Sequence, residues 1–443
     1  MGAYYHSVRL LEEKCKGCTN CIKRCPTEAI RVRQGKAVII EERCVDCGEC
    51  IRVCPNHAKV AVADDLTVLK SFPKNIALPA PALLGQFGRS TDEAHILGAL
   101  LELGFDDVVE VAVAADMVSE VISQYLQSGK GPRPAISSAC PAVVRLMQVR
   151  FPSLLDNIVP FEPPMEIAAR LARESFGFGE VGVHFITPCP AKITAVKQPV
   201  SYKGPLLLDG AIPISAIYGE MMKRLNSARP FTPRATSRGI GWGRSGGEGL
   251  AIQGSSVLSV DGIHNVIAVL EEVERGRLSG VDYIEAQACT GGCVGGCLTV
   301  QNPFVGRTIL KHKASEASGR KALLSSEALA DMYRTSFFDM SVKITPRPVM
   351  RLDTDIKVAL AKVNQMEQVA KELPGLDCGA CGSPNCKALA EDIVQGRASE
   401  LDCIFKLREK VQGLAEAMVE VARQLPPPVA SRAETEKGER RDG

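Results

Sequence analysis

Tyr283-Ile-Glu-Ala-Gln-Ala-Cys289-Thr-Gly-Gly-Cys293-Val-Gly-Gly-Cys297-Leu298 is the stretch on which the reading of this chain turns. Cys289, Cys293 and Cys297 recur every fourth residue, and one helical turn at that spacing would stack three sulfurs along one face. Gly291, Gly292, Gly295 and Gly296 remove side chains, so the backbone is free to approach something bulky. A cysteine on its own reads as a small buried hydrophobe. The other cysteines argue for ligands instead.

The 443 residues hold 17 cysteines. The opening Met1-Gly-Ala-Tyr-Tyr-His-Ser7 lacks a basic segment followed by an apolar one, so no export signal and a cytoplasmic setting are expected. No apolar run is long enough to span a bilayer. A net charge of +2 with 23% charged residues gives no bias toward nucleic acid. A chain of this kind uses cysteine for metal or redox centres rather than for disulfides. Sixteen of the 17 fall into four groups of four, with Cys297 left over, and four thiolates is the ligand count of a [4Fe-4S] centre.

The first two groups are an internal repeat. Cys15, Cys18, Cys21 and Cys25-Pro26 recur as Cys44, Cys47, Cys50 and Cys54-Pro55. In this bacterial ferredoxin run the fourth cysteine ligates the other cluster. Cys15, Cys18, Cys21 and Cys54 are therefore expected on one cluster, and Cys44, Cys47, Cys50 and Cys25 on the other. Short strands are expected at 7–10 and 37–40. Residues 1–65 form this α+β ferredoxin-like domain.

Residues 72–345 read as α/β. Apolar, β-branched runs at 108–113, 135–138, 182–187 and 281–286 predict strands. Helical patterns lie between them at 91–103, 165–174, 213–225 and 263–275. Alternation of strand and helix predicts parallel sheets in one or two lobes. Cys140, Cys189 and Cys289, with Cys293, follow strand ends, where such sheets place their ligands.

Residues 350–403 predict a linker helix and a small helical domain with a third cysteine set, Cys378, Cys381, Cys386 and Cys403. A [4Fe-4S] cluster is expected there, with a zinc knuckle as the rival. Over 404–425 the apolar residues Ile404, Leu407, Val411, Leu414, Met418, Val421 and Leu425 alternate by threes and fours, a heptad seam. Packing on its own domain, dimerising, or docking a signalling or output protein are the uses open to it. The tail 426–443 has the composition of disordered chain.

Three segments resemble the signatures of [FeFe]-hydrogenases. Ser137-Ser138-Ala139-Cys140-Pro141 is similar to Thr-Ser-Cys-Cys-Pro, and Thr187-Pro188-Cys189-Pro190-Ala191-Lys192 to Met-Pro-Cys-x-x-Lys. Glu285-Ala-Gln-Ala-Cys289-Thr-Gly-Gly-Cys293 is similar to Glu-x-Met-x-Cys-x-x-Gly-Cys. Gly241-Trp-Gly-Arg-Ser-Gly-Gly247 resembles Phe-Gly-x-Ser/Thr-Gly-Gly. The resemblance implies an H-cluster, a [4Fe-4S] cube bridged through one cysteine sulfur to a diiron unit bearing CO, CN⁻ and a dithiolate. By that resemblance Cys140, Cys189 and Cys289 hold the cube and Cys293 bridges. Lys192 donates to a cyanide, and Glu285 belongs to a proton or hydrogen-bond network, its rival reading being a solvated charge at a strand end.

The departures bear on activity. The family's proton-shuttling cysteine is replaced by Ala139, which carries no proton. Two family methionines are replaced by Thr187 and Gln287, and a tryptophan by Val143. The family's last glycine is replaced by Cys297, read as a space filler, a substitute proton relay or an extra ligand. Alanine at 139 with an added C-terminal cysteine set is similar to the sensory lineage of the family. A slow or H2-sensing protein exchanging electrons with ferredoxin or another redox protein is expected. A scaffold carrying only a plain cube and a regulator with a labile cluster are the alternatives.

Overall fold

The duplicated cysteine run is visible in the backbone. Strands β1 (Val8–Leu10), β2 (Ile30–Arg33), β3 (Lys36–Ile39) and β4 (Lys59–Ala61) form two antiparallel pairs, β1 with β4 and β2 with β3. The helices Asn20–Lys23 and Glu49–Arg52 occupy matching places. Each is entered through a left-handed residue, Thr19 (φ 63°) and Gly48 (φ 79°). Val8, Ile22, Ile30, Ala37 and Ala58 form the small core between them. This is the computed structural model, and it describes residues 4–424; the expectations for Leu425 and the tail lie outside the described residues.

Seven further strands follow: β5 (Lys74–Pro79), β6 (Asp107–Val108), β7 (Ala135–Ile136), β8 (Val181–Thr187), β9 (Gly210–Pro213), β10 (Val257–Asp261) and β11 (Tyr283–Gln287). They make two parallel sheets, β6-β5-β8-β9 and β10-β11-β7. Every residue of β8 is buried, as a strand covered on both faces requires. Each sheet has its own apolar core, one built on Ile76, Leu78, Phe185 and Ile212, the other on Ile136, Ile284, Val266 and Leu270. The α/β fold with two parallel lobes is as expected.

One strand expectation fails. Of the run 108–113 only Val108 is in a strand, β6, and Val111–Gln127 is a largely buried helix. A continuous apolar run has no period to separate the two states.

The ferredoxin-like segment and the two lobes form one compact unit ending at Arg351. Polar bonds stitch them together. Asp46 Oδ1 accepts from the Ser7 and Val8 amides, while its Oδ2 accepts from Thr194 Oγ1 at 2.8 Å. Ser7 Oγ donates to the Pro190 carbonyl, and Arg52 Nη2 to the Gly295 carbonyl at 2.8 Å.

The second unit starts at Leu352. Helix Ile356–Glu372 packs on helix Cys386–Val394 around Val369, Leu373, Leu389 and Ala390, beside Cys381, Cys386 and Cys403. Helix Ile404–Gln424 follows and buries none of its residues, which overturns the expectation that its seam packs on its own domain.

Candidate metal centres and the central cavity

Cys15, Cys18, Cys21 and Cys54 line one pocket, and Cys25, Cys44, Cys47 and Cys50 line another. This is the crossed arrangement read from the repeat. Symmetry extends to the sulfurs' partners, with the Ala29 amide donating to Cys25 Sγ at 3.2 Å and the Ala58 amide to Cys54 Sγ at 3.3 Å. Such bonds tune iron–sulfur potentials. His6, Cys44 and Asp46 also draw close enough for a single ion. Both Asp46 oxygens are already filled by the bonds above, so this triad reads as a structural knot.

The central cysteines arrive on three strand ends. Cys140 follows β7 and caps helix Pro141–Arg150, and Cys189 follows β8 and caps helix Pro190–Lys197. Proline opens both helices, where its missing N–H costs nothing. Helix starts favour negative charge. The amides of Ala191 and Lys192 lower the Cys189 pKa against a burial that pushes it up to about 11. Burial likewise pushes Cys293 up to about 12 and Cys289 well above its ordinary range, with the charges of Cys140 and Cys189 adding to both. Four thiols within electrostatic reach, Cys289 buried and the other three half-buried, form a set that ligation to iron would deprotonate.

The stretch 288–297 is not helical, contrary to the expected stacked face. Left-handed backbone at Gly291 (φ 80°) and Gly292 (φ 90°) breaks any helix, leaving a chain of turns with a short 3-10 segment at Cys293–Gly295. The glycines serve protein packing. A Cβ on Gly295 would stand 2.0 Å from the Thr290 carbonyl oxygen, and one on Gly296 2.2 Å from that of Pro188.

Beside Cys140 and Cys293 lies a cavity walled by Val111, Ala115, Ala139, Met165, Phe185, Lys192, Trp242 and Gln287. Among the described residues on this wall, Lys192 is the only titratable side chain apart from the two cysteines. The residue is 8% exposed, and its ammonium donates to the Ala139 carbonyl at 3.2 Å, with the Phe185 ring centroid 5.7 Å away. Among the described residues no carboxylate forms an ion pair with it. Gln287 Oε1 is buried and has no hydrogen-bond partner. The buried cation leaves donor capacity that an anionic guest would satisfy, whereas the orphaned Gln287 oxygen is an acceptor and calls for a hydrogen-bond donor. The wall therefore fits a diiron group bearing cyanide.

Glu285 is placed elsewhere. It is fully buried, so the solvated-charge reading fails, and it does not line the cavity. Its oxygens accept from the Gly246 and Gly249 amides, at 2.9 and 2.8 Å, and from Ser259 Oγ. It clamps the 241–249 turn. Beside it lies Glu248, unsuspected from the sequence, bonded to the Tyr283 hydroxyl and raised in pKa by burial and by the Glu285 charge. Glu166, on the helix that borders the cavity, is pushed up to about 8 by burial and by Glu162. No motif marked either residue.

Cys297 also lies off the cavity wall, so a proton relay to that cavity is not where its thiol stands. It faces the ferredoxin-like segment, where its Sγ would meet a Cβ on Gly48 at 2.4 Å. Burial raises it to about 12, the Cys189 charge adding and Arg52 opposing. It occupies the junction between the second ferredoxin-type pocket and the central cysteines. In the second unit Cys381, Cys386 and Cys403 share one small core, and the Asp377 carboxylate holds the Cys386 amide at 2.7 Å.

Ferredoxin-type thiolate pockets set against a four-cysteine centre define an iron–sulfur redox protein. The profile for the iron-only hydrogenase large subunit, C-terminal domain, matches residues 74–206 and 243–297. A 4Fe-4S dicluster domain matches 7–55, and an Fe-S cluster domain 373–405. The periplasmic [Fe] hydrogenase large subunit of Nitratidesulfovibrio vulgaris is 32% identical over 212 residues, 42% of this chain and 50% of that one. Iron hydrogenase 1 of Clostridium pasteurianum is 25% identical over 305 residues, 55% and 53%. The chain thus spans about half the length of the curated relatives it matches. A solved [FeFe]-hydrogenase of Chlamydomonas reinhardtii aligns at 14% identity and TM-score 0.48, covering 64% of this chain and 98% of that one. Residues 74–206 and 243–297 thus carry a domain of the iron-only hydrogenase large-subunit type, accompanied by two further iron–sulfur domains. Among the described residues no helix is long and apolar enough to cross a membrane.

Proposed function

We propose that the chain is a slow, H2-sensing hydrogenase-like protein. In this reading Cys140, Cys189, Cys289 and Cys293 hold an H-cluster-type centre. The sets Cys15/Cys18/Cys21/Cys54, Cys25/Cys44/Cys47/Cys50 and Cys378/Cys381/Cys386/Cys403 hold [4Fe-4S] relays. When bound, the diiron group supplies the interconversion of H2 with protons and electrons. The observation that carries the reading is the cavity beside Cys293, where the Lys192 ammonium holds one hydrogen bond, to the Ala139 carbonyl, and no ion-pair partner among the described residues.

The chain's own residues do the rest. Lys192 holds an anionic ligand in place by charge and hydrogen bond. Val111, Ala115, Met165 and Phe185 exclude water. Beyond Lys192 and the ligating thiols, no wall residue carries a proton, and the loss of a positioned carrier costs on the order of 10²–10⁴ in rate. This favours sensing over turnover. The Cys297–Gly48 contact would lie between the groups that Cys140/Cys189/Cys289/Cys293 and Cys25/Cys44/Cys47/Cys50 would hold, and a ferredoxin or similar cytoplasmic redox protein would exchange electrons at the Cys15/Cys18/Cys21/Cys54 set.

The test is infrared spectroscopy of protein co-expressed with the hydrogenase maturases, alongside an iron count per chain. Metal-bound CO and CN⁻ bands are expected. A full complement of iron with no such bands would leave a scaffold carrying a plain cube.

A further inference from the structure

Helix Ile404–Gln424 leaves an apolar seam uncovered. Ile404, Leu407, Val411, Leu414, Met418 and Val421 are each between 45% and 73% exposed. We propose that this helix pairs with the same helix of a second copy of the chain, as a parallel two-stranded coiled coil. Spacing is the first argument. Alternation of three and four residues repeats every seven and keeps a seam of constant direction on a supercoiled partner.

Residue types name the occupant. Counting Ile404 as the first seam position, β-branched Ile404 and Val411 alternate with Leu407 and Leu414, the combination that favours two parallel strands. Positions flanking the seam carry Arg408 and Lys410, then Ala415, Ala417 and Ala422. In parallel register Lys410 meets Ala415 of the copy and Ala417 meets Ala422, so no like charges face each other. Glu409, Glu416, Glu420 and Arg423 fall on the outer positions. Small flanking residues let an identical helix approach closely, and they offer none of the charge code that selects a different partner. A membrane surface fits poorly, because the polar face mixes Lys406, Arg408, Lys410 and Arg423 with three glutamates instead of being uniformly basic.

The helix starts directly after Cys403, whose carbonyl accepts from the Leu407 amide at 2.8 Å. A parallel pair therefore sets the two Cys403 residues side by side, whereas an antiparallel pair would hold them about 30 Å apart. On the reading of Cys378, Cys381, Cys386 and Cys403 as cluster ligands, the dimer carries its two C-terminal clusters as neighbours.

Sedimentation of the iron-loaded full chain under anaerobic conditions tests the pairing. A reversible dimer is expected, converted to monomer by Leu414→Glu and by Met418→Glu with iron content and thiolate-to-iron absorption unchanged. Glu416→Lys, on the outer face, is expected to leave the dimer intact. A wild-type chain that stays monomeric when concentrated, including one that binds anionic vesicles instead, overturns the proposal, as does a dimer indifferent to Leu414→Glu. In the reduced dimer, electron paramagnetic resonance is expected to show spin coupling between the C-terminal clusters that Leu414→Glu abolishes. A helix-dependent dimer with full iron and no coupling overturns the parallel register. A helix-dependent dimer lacking the iron of the C-terminal set keeps the pairing and removes only the cluster reading.

Discussion

Replacing Lys192 with methionine separates a ligand-holding lysine from a structural one. The ammonium is buried and makes one hydrogen bond, to the Ala139 carbonyl at 3.2 Å, with no ion-pair partner among the described residues. Methionine matches its length and apolar stem. Losing a charged hydrogen bond costs about 1.5–3 kcal/mol. Relieving the burial of an ammonium returns several kcal/mol, and Glu166 and Glu248, held protonated by burial up to about pH 8, offer it little opposing attraction. The opposing contributions are of similar size, so protein made without the diiron maturases is expected to change stability by no more than about 1 kcal/mol, a shift of a few degrees in Tm. A lysine locked in a structural ion pair would instead cost about 3–5 kcal/mol. In matured protein the lost bond falls on the guest, and the same 1.5–3 kcal/mol lowers retention roughly 10- to 100-fold. The assay pairs anaerobic thermal unfolding with CO and CN⁻ band intensity per iron. Unchanged bands together with a collapsed Tm would refute the reasoning.

Other expectations follow from the same site. Ala139→Cys puts a thiol on the cavity wall, and H2/D2 exchange is expected to rise about 10²-fold, the low end of the range for a proton carrier, because Val111, Ala115 and Met165 continue no relay behind it; unchanged exchange with intact bands would count against a missing carrier. Glu166 ionises in the fold only at about pH 8, against 4.5 for an ordinary glutamate. The fold therefore holds a proton that the unfolded chain releases, and stability drops as pH rises from about 4.5 through about 8. Glu166→Gln is expected to flatten the Tm profile across that window, and an unaltered slope would show that Glu166 is not its source. Gly296→Ala would press a methyl to 2.2 Å from the Pro188 carbonyl oxygen; iron at the central site is expected to fall, readable by iron count, while the ferredoxin-type absorption persists.

Legibility in the sequence tracked the range of each signal. Each ferredoxin-type run is local, two to three residues between its cysteines, so the repeat stands out in the sequence, and each of the two pockets gathers three cysteines of one run and the fourth of the other. The central cysteines were traceable because each follows a strand end, a position that parallel sheets reserve for ligands. The cavity wall was not, since Ala115, Met165 and Phe185 come from buried elements whose apolar residues look like any core. Helix Val111–Gln127 was misread for want of a period, and the 288–297 turns because four-residue spacing mimics a helix when left-handed glycines are ignored. Glu285 and Glu248 owe their burial to the 241–249 turn folding over β11, a contact with no trace in either segment alone. Cys297 stood out as an oddity, but its direction toward Gly48 depends on the docking of two modules.

That docking has a consequence for how such a protein could be regulated. Asp46 grips Ser7, Val8 and Thr194, and Arg52 reaches Gly295, so the two modules are bolted at points on either side of the Cys297–Gly48 contact. On the proposed reading these bonds set the gap between the second ferredoxin-type pocket and the central cysteines at folding, so control would act through what occupies the cavity or what docks at the first cysteine pocket. A chain begun at residue 72 would likewise lose the partners of Thr194 and of the Pro190 and Gly295 carbonyls, so trimming it to the two lobes would expose polar groups that the intact protein keeps satisfied.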